Sequence, residues 1–407
     1  MPELALVGGD PIRLQAYPQW PQAGAREREL LDVVLASGDW DSRHGQFVRR
    51  FETEFAAFQG ARYAICVSSG EAALRVALEG LEIERGSEVV LPAYTFVASA
   101  TAILQAGLVP VFADVDRHSY GLDARSVESV LSERTAAIMP VHLGGVPASM
   151  QTLQELAERK GLAMVEDAAQ AWGTRYQGAG AGTIGNAGGF SFHASKNLAC
   201  GEGGVIVTDD SELAERCRSI SNNGRAAVGG RYTHVRLGGN YRLSEFQGAV
   251  LCAALERYPE ELQRRAENAA HLRKALNSIP GVTCQVVPPG TDQCSWHLII
   301  VRINTVAFAG APKRACVDAL VAEGVPASAG YDAPVYSQPL FDDAERAPHR
   351  SGACGVAEHA CASEAVWIRH NALIGGTEDA LDIARAFEKV QRFAAELAPT
   401  DPFMTPL

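Results

Sequence analysis

Long apolar runs are missing from this chain, and so is any concentration of basic residues. No uncharged apolar stretch in the 407 residues approaches the roughly 20 that a membrane-spanning helix needs, so we expect no membrane span. The 36 Lys and Arg residues are outnumbered by 48 Asp and Glu, which gives a net charge of −12 without a Lys/Arg-rich stripe. The chain therefore lacks the positive surface with which proteins bind nucleic acid, and that class of function is excluded.

Targeting signals and metal-binding patterns are equally scarce. The opening residues, MPELALVGGDPIR, contain no basic segment followed by an apolar one, so we expect a cytoplasmic protein. The nine cysteines are odd in number and include no C-x-x-C pair, which is typical of reduced thiols. The one cluster that resembles a metal site, Cys354, His359 and Cys361, fits no zinc spacing, and we expect no metal.

Neither internal repeats nor a low-complexity linker divide the chain. From about residue 50 to 250, short apolar runs alternate with helix-like stretches, which predicts a mostly parallel sheet covered by helices on both faces. Ligand sites in such sheets lie at the carboxyl ends of the strands. Helices are predicted at 25–37, Glu71–Glu79 and Met150–Lys160, and strands at Tyr63–Val67, Glu88–Leu91, Val109–Phe112, Ala136–Val141, Leu162–Val165 and Val205–Thr208.

The pattern is less regular after Pro259. A helix is predicted over Glu260–Ile279, with Pro280-Gly281 as its stop signal. A strand over Trp296–Ile303 and helices over Lys313–Glu323 and Thr377–Leu397 follow, with Thr377 as the N-cap of the last. We therefore predict an N-terminal segment and large α/β domain in 1–258 and a smaller α+β domain in 259–407.

The residues with the clearest chemistry lie between Met164 and Gly204. An apolar strand carries Glu166 and Asp167 at its carboxyl end, and Lys196 follows among apolar and glycine residues. Because burial lowers the pKa of an ammonium group, a lysine in such surroundings can act as a nucleophile toward a carbonyl. The acid then suits a protonated pyridine nitrogen of pyridoxal phosphate. The alternative is an ordinary loop lysine beside a helix-capping aspartate.

Two upstream segments add features that suit the same cofactor. The run CVSSGEAAL reads as a strand, a Ser/Gly turn and a helix start, and the N–H groups of a helix N-terminus bind phosphate. The run LPAYTF places Tyr94 and Phe96 after the next strand, where a ring can stack on a flat cofactor or pack in the core.

Together these segments resemble the sugar aminotransferases of the DegT/DnrJ/EryC1/StrS type, which have the aspartate-aminotransferase fold (fold type I). The resemblance covers nearly the whole chain. It rests on the segments FETEFA, SSGEAAL, LPAYTFVASA, PVFADVD, PVHLGG, VEDAAQAWG, SFHASKNLACGEGG and GGNYRLSEFQGAV, which occur in this order. It implies a large domain with a mostly parallel seven-stranded sheet, a smaller C-terminal domain, and a pyridoxal-phosphate-dependent transaminase.

The resemblance also implies a role for each matching residue. Lys196 corresponds to the lysine that joins the cofactor covalently and moves the proton, and Asp167 to the acid that keeps the pyridine nitrogen protonated. Asn240 corresponds to an asparagine that reaches the cofactor phosphate of a partner subunit, which implies a homodimer with shared sites. The remaining cofactor contacts implied are Gln170 at the 3-hydroxyl, Phe96 (or, second, Tyr94) stacked on the ring, and Ser69, Gly70, Glu71 and Ser191 around the phosphate.

Two positions bear on how far the resemblance extends. Glu71 stands where the family usually has threonine, and since a carboxylate repels phosphate, we expect only its backbone N–H to serve while the side chain points away. Dehydratase relatives have histidine in place of the cofactor-binding lysine. Lys196 therefore favours transamination, although His193 lies close by and leaves the dehydratase reaction as an alternative.

The substrate is suggested by both ends of the chain. Gln19-Trp20-Pro21 and the segment VWIRH ending at His370 resemble the branch that acts on keto-cyclitols of the inosose type in aminoglycoside biosynthesis. Aminohydroxybenzoate synthases and nucleotide-linked keto-sugar aminotransferases are the alternatives. L-Glutamine or L-glutamate is implied as amino donor. His142, Tyr331 and His370 are candidate substrate contacts, each with packing or capping as its alternative role.

Overall fold

The computed structural model describes residues 3–226 and 232–397. Within these ranges the α-helices are α1 (Ala25–Ser37), α2 (Phe47–Gln59), α3 (Gly70–Gly80), α4 (Val97–Gln105), α5 (Ala124–Val130), α6 (Met150–Lys160), α7 (Ser211–Ser221), α8 (Glu245–Leu276), α9 (Lys313–Ala322), α10 (Gly355–His359) and α11 (Thr377–Arg392). The strands are β1 (Tyr63–Val67), β2 (Glu88–Pro92), β3 (Val109–Ala113), β4 (Thr135–Ile138), β5 (Ala163–Asp167), β6 (Arg175–Tyr176), β7 (Ala179–Gly180), β8 (Ala187–Ser191), β9 (Gly204–Thr208), β10 (Val282–Cys284), β11 (Thr291–Gln293), β12 (Leu298–Ile303), β13 (Ala327–Ser328), β14 (Arg350–Ser351) and β15 (Ala365–Arg369). None of these helices combines the length and the apolar character needed to cross a membrane.

The main sheet has the strand order β1-β9-β8-β5-β4-β2-β3-β14. The pairings from β8 to β14 are parallel, and β9 is antiparallel to both of its neighbours. Two antiparallel steps restore the direction, so β1 runs parallel to β8. The predicted α/β fold with seven main strands is confirmed, and the two-residue strand β14 is added at one edge. The carboxyl ends of β1, β2, β5 and β8 consequently lie at the same side of the sheet.

Helices cover both faces of this sheet. On one face Ile206 of β9 belongs to the same apolar cluster as Leu74 of α3. On the other face the next residue, Val207, packs in a cluster with Phe55 of α2 and Leu251 of α8. Successive side chains of a strand point to opposite faces, so a strand buried on both sides reads as a continuous apolar run. This is why the strands of this region are recognisable in the sequence.

The C-terminal part has its own apolar core, built on the antiparallel sheet β10-β12-β15-β13. Helices α9 and α11 contribute Leu320 and Phe387 to its core. The N-terminal segment joins this core through Leu4 and Tyr17. The domain division at residues 258 and 259 stays a prediction, and that boundary falls inside α8.

The helix predicted to begin after Pro259 begins much earlier, at Glu245. Proline removes one backbone hydrogen bond, which makes it a common helix boundary. Here the apolar stripe continues across it, since Cys252, Leu255 and Tyr258 before the proline are as buried as Leu262 after it. Packing along the whole stripe therefore outweighs the local cost of the proline.

Other predicted boundaries also differ from the structure. The strand predicted to reach Val141 ends at Ile138, shortly before Pro140, which has no N–H for a ladder. The strand predicted from Trp296 begins at Leu298 because Trp296 has a left-handed backbone with φ of 50°. The N-cap of α11 is Gly376 rather than Thr377. Its N–H donates to Asp379 Oδ2 over 2.8 Å, and α11 ends at Arg392 instead of Leu397.

Candidate active site

The buried carboxylate of Asp167 marks the centre of the candidate site. Asp167 is the last residue of β5, and its side chain is 6% exposed. Ser99 Oγ of α4 donates to Asp167 Oδ2 over 2.7 Å, and the Ala169 N–H donates to Oδ1 over 3.1 Å. Ser99 also bonds Thr95 Oγ1 over 3.0 Å. Charge-assisted bonds of this kind stabilise an ionised carboxylate in a buried position.

Ser99 is not among the residues predicted from the sequence. The sequence signal that could have found it is a hydroxyl residue three positions after Phe96, on a helix that begins shortly after β2 ends. Residues separated by one helical turn share a face, so an aromatic ring at the site implies that the next turn faces the site as well. Only the distance to Asp167 shows which partner this hydroxyl serves.

Lys196 lies in an irregular segment that follows β8. Local support for its backbone is limited to turns, such as the 2.9 Å bond from its N–H to the His193 carbonyl. Burial lowers the pKa of Lys196 to about 8, and the nearby charge of Asp167 opposes the shift. With that pKa, roughly a tenth of the amine is unprotonated at pH 7, compared with roughly three in ten thousand for an ordinary lysine. The site therefore supplies a nucleophilic amine next to a carboxylate.

A narrow cradle forms where the N-terminus of α3 meets the end of β8. Ser69 is the N-cap of α3, and its side chain accepts from the Ala72 N–H over 3.1 Å. A Cβ at Gly70 would lie 2.7 Å from Ser191 Cβ, so only glycine fits between the two elements. Free backbone N–H groups at this end of α3, together with the Ser191 hydroxyl, suit a phosphate.

The Glu71 carboxylate points away from this cradle, as expected from its charge. Its Oε1 accepts from Thr101 Oγ1 over 2.6 Å and from Gln105 Nε2 over 3.0 Å, and both donors belong to α4. The side chain thus links α3 to α4. An acidic residue at the start of a helix is also favourable for the helix dipole.

Gln170 and Phe96 each keep a group available for a ligand. Gln170 Oε1 accepts from the Gly144 N–H over 2.6 Å, which leaves its Nε2 group free to act as a donor. Phe96 precedes α4 and is 59% exposed, an unusual position for a large apolar ring. An exposed ring of this kind is suited to stacking on a flat ligand.

His142 lies beneath the site and is fully buried. Its Nε2 donates to Glu166 Oε2 over 2.9 Å, and its Nδ1 accepts from the Ala148 N–H over 3.1 Å. Glu166 also accepts from backbone N–H groups of the loop before β8, at Gly182, Ile184 and Gly185. Both ring nitrogens of His142 are therefore occupied by structural bonds, and the geometry favours packing over the predicted substrate contact.

The C-terminal part brings Tyr331 to the site. Tyr331 packs edge-on against Trp367, with ring centroids 4.6 Å apart, and against Tyr94 at 5.3 Å. Burial raises the pKa of Tyr331, and the charge of Asp167 adds to the increase. Tyr331 thus lies close enough to Asp167 for that charge to affect its pKa, and the Tyr94 ring packs directly against the Tyr331 ring. A substrate contact by Tyr331 stays a prediction.

His370 contacts the lysine-bearing segment directly. Its Nε2 donates to the Ser195 carbonyl over 3.1 Å, and the residue is 3% exposed. By contrast, His193 is exposed and bonds Ser195 Oγ over 2.9 Å. Asn240 is also exposed and forms a bridge with Asn222. The structure therefore brings Lys196 and Tyr331 near Asp167 and Gly70 against Ser191, whereas Asn240 lies at the surface and His142 is fully buried.

Comparison with known proteins gives the same assignment over almost the full length. The sequence model of the DegT/DnrJ/EryC1/StrS aminotransferase family matches residues 21–387. The L-glutamine:2-deoxy-scyllo-inosose aminotransferase of Streptomyces paromomycinus is 37% identical, over 97% of this chain and 99% of that protein. The L-glutamine:scyllo-inosose aminotransferase of Streptomyces griseus is 34% identical, over 95% of this chain and 97% of that protein.

Solved structures agree with the fold. The crystal structure of 3-amino-5-hydroxybenzoic acid synthase superimposes with a TM-score of 0.85 and 33% sequence identity. The match covers 94% of this chain and 100% of that one.

Proposed function

The chain belongs to the DegT/DnrJ/EryC1/StrS aminotransferase family, and from that premise we propose that it transfers the amino group of L-glutamine to the ketone of an inosose-type keto-cyclitol. The observation that carries the proposal is the end-to-end similarity to two aminotransferases whose acceptors are inososes. The site supports it with a buried acid and a lysine of lowered pKa on the expected elements. Such a reaction belongs to the biosynthesis of aminoglycoside-type antibiotics.

Pyridoxal 5′-phosphate is the cofactor we propose, because the residues present fit each of its parts. The cradle between Gly70 and Ser191 would hold the phosphate together with the α3 N-terminus. Asp167 would pair with the ring nitrogen, and the free amide group of Gln170 would donate to the 3-hydroxyl. Phe96 would cover the ring. When bound, the cofactor supplies an electron sink for the carbon that loses or gains a proton.

The protein's own groups divide the work. Lys196 Nζ accepts and returns the proton, which its pKa of about 8 permits near neutral pH. Ser99 holds the Asp167 carboxylate in one orientation through the 2.7 Å bond. Asn197 donates from Nδ2 to the Ser295 carbonyl over 2.9 Å, which fastens the lysine segment to the start of the C-terminal part.

Steady-state kinetics with L-glutamine and 2-deoxy-scyllo-inosose tests this function. We expect a family of parallel double-reciprocal lines, because one site serves the donor and the acceptor in turn. The matched comparison replaces the cyclitol with a nucleotide-linked keto-sugar, and we expect the cyclitol to be at least about tenfold better in kcat/KM. Faster turnover of the nucleotide-linked sugar would favour that alternative. Loss of water from an aminoketone without amine transfer would identify the synthase or dehydratase reaction.

A homodimer with shared sites is the assembly we propose. The segment before Asn240 exposes large apolar side chains, among them Leu237 at 90% and Val235 at 56%. Exposed apolar residues grouped beside a site favour an interface, and two-fold dimers use the same surface on both subunits. We infer that Asn240 completes the phosphate cradle of the partner.

A cytoplasmic location is proposed from the nine free cysteines, since disulfides are rare in that compartment.

Mixing two inactive variants tests the shared site. Lys196→Ala and Asn240→Ala proteins are each expected to be nearly inactive, since each lacks one group in every site. After random exchange of subunits, half of the dimers contain one site with both groups intact, so activity returns to about a quarter of wild type. A mixture of Lys196→Ala with Asp167→Asn is the control, and it should stay inactive, because one subunit supplies both groups and neither site of a mixed dimer contains both. Failure of the first mixture as well, with subunit exchange demonstrated, would place Asn240 in its own subunit's site or in none.

A further inference from the structure

Three aromatic ring N–H groups hold three consecutive residues of the lysine-bearing segment. His370 Nε2 donates to the Ser195 carbonyl over 3.1 Å, and Trp20 Nε1 donates to the Lys196 carbonyl over 2.8 Å. His297 Nδ1 lies 2.8 Å from Asn197 Oδ1. We call Trp20, His297 and His370 the ring clamp. Its members are a residue of the N-terminal segment, the residue just before β12 and the residue just after β15, so they are distant from the segment in sequence.

The hydrogen bonds fix where each ring carries its proton. A carbonyl oxygen only accepts, so His370 is protonated on Nε2. Asn197 Nδ2 donates to the Ser295 carbonyl, which leaves Asn197 Oδ1 as an acceptor, and His297 is therefore protonated on Nδ1. Burial lowers the pKa of both histidines well below the usual value, with further contributions from Arg265 for His370 and from Lys196 for His297. Both rings consequently stay neutral, each in the tautomer that donates to the segment.

The rings also support one another. Trp20 meets His370 edge-on with centroids 4.9 Å apart, and His370 stacks on His297 at 5.3 Å with an interplanar angle of 27°. His297 meets Trp172 edge-on at 5.8 Å. The fully buried guanidinium of Arg265 lies 5.1 Å from the Trp20 ring. A continuous column of packed rings holds each donor in place, so the clamp acts as a rigid unit.

The segment needs such support because it is neither helix nor strand. Its local bonds are those of turns, and Lys196 has a long side chain whose amine must keep its place beside Asp167 in both halves of the reaction. A displacement of the reacting group by about 1 Å can lower a rate about a hundredfold. The main chain at residues 195–197 is the part of the molecule where such a displacement would begin.

We propose that Trp20, His297 and His370 are positioning residues. They fix the backbone of Ser195–Asn197, so that Lys196 Nζ keeps its position relative to the Asp167 carboxylate. The proposal rests on the proposed function, since it assigns to Lys196 the covalent and proton-moving role. It makes docking of the C-terminal part and the N-terminal segment a condition for a competent lysine. None of the three rings is required to touch the substrate.

A pair of substitutions at residue 370 tests the clamp. His370→Phe keeps a ring but removes the donor, and His370→Gln keeps an N–H at the same reach. With cofactor-loaded protein, we expect His370→Phe to slow the absorbance change on mixing with L-glutamine about 10- to 100-fold, while the glutamine concentration for half-maximal rate changes less than about threefold. His370→Gln is expected to stay within about fivefold of wild type. Exposed His271, changed to phenylalanine, is the matched control.

The second measurement is a pH titration of the visible absorbance of the cofactor-loaded protein without any substrate. We expect its midpoint to shift by at least about half a pH unit in His370→Phe and to return in His370→Gln, since the distance of Lys196 from Asp167 sets that midpoint. A purely structural histidine would lower the thermal midpoint and leave rate and titration per loaded site unchanged, and this result would overturn the proposal. If His370→Phe does not fold, Trp20→Phe, which loses the donor to the Lys196 carbonyl at a half-buried position, gives the same readings.

Both measurements separate the clamp from the choice of acceptor. Neither needs a keto-cyclitol, so a wild-type protein that reacts with glutamine but aminates a different ketone overturns only the substrate class. A wild-type protein that binds no pyridoxal phosphate overturns the proposed function and the clamp together.

Discussion

Changing Lys196 to alanine is expected to lower the rate of amine transfer by at least about a thousandfold. The substitution removes both the nucleophilic amine and the group that moves the proton, and general acid–base catalysis alone contributes about 10²- to 10⁴-fold. The fold should persist, because Lys196 lies in a segment held through main-chain bonds to the His193 carbonyl and to Trp20 Nε1, which alanine keeps. Amine transfer from L-glutamine and the visible absorbance of the loaded protein are the two measurements.

The control for this variant is Lys160→Ala. Lys160 is an exposed lysine at the end of α6, and its amine lies 3.9 Å from the Glu128 carboxylate. Surface pairs of this kind contribute little to stability, so activity and absorbance should equal those of wild type. Retained amine transfer in Lys196→Ala would mean that another amine serves the cofactor and would remove the chemical basis of the assignment.

Asp167→Asn is expected to lower activity about 10²- to 10³-fold with little loss of stability. Asparagine keeps the size of the side chain and can still accept the Ala169 N–H, but it carries no charge to hold a protonated ring nitrogen. The exposed Asp209, which accepts from the Arg62 N–H over 2.7 Å, gives the matched control Asp209→Asn, with activity unchanged. Equal losses in both variants would indicate a general effect of charge rather than a role at the site.

The same variant changes the titration of Lys196 in a defined direction. The Asp167 carboxylate stabilises the ammonium form of Lys196 and so raises its pKa against the effect of burial. Without that charge, the pKa of Lys196 falls further below about 8. In protein freed of cofactor, the pH profile for chemical labelling of Lys196 should therefore shift to lower pH in Asp167→Asn. A shift to higher pH would contradict the proximity of the two groups.

Features that depend on neighbouring residues could be predicted from the sequence. Asp167 was identifiable because it ends an apolar strand, and Lys196 because it is flanked by glycine clusters. The inward-facing cradle at Gly70 followed from a strand, a turn and a helix start. In each case the chemistry is written within about ten residues, and the open α/β sheet brings the strand ends together.

Features that depend on distant segments could not be predicted in the same way. The bond from Ser99 to Asp167 joins residues 68 positions apart, and that from Trp20 to the Lys196 carbonyl spans 176. The hydrogen-bond partners of His142 could not be predicted either, because a position at a strand end does not tell which side of the sheet the ring takes. The side that the ring takes is set by its hydrogen-bond partner Glu166, which is held by backbone N–H donors of the loop before β8.

The unbroken course of α8 has a mechanical consequence. Its 32 residues span about 48 Å, from the end of the segment that carries Asn240 to the core of the C-terminal part. Near its start, the Glu245 carboxylate accepts the Phe47 N–H, and near its far end Asn268 donates to the Leu373 carbonyl. The helix thus forms a mechanical connection, with the proposed subunit contact at one end and the elements that carry His370 at the other. Pro259 lies near the middle of α8 and leaves one backbone carbonyl unpaired, so it is the point where the helix is most easily bent.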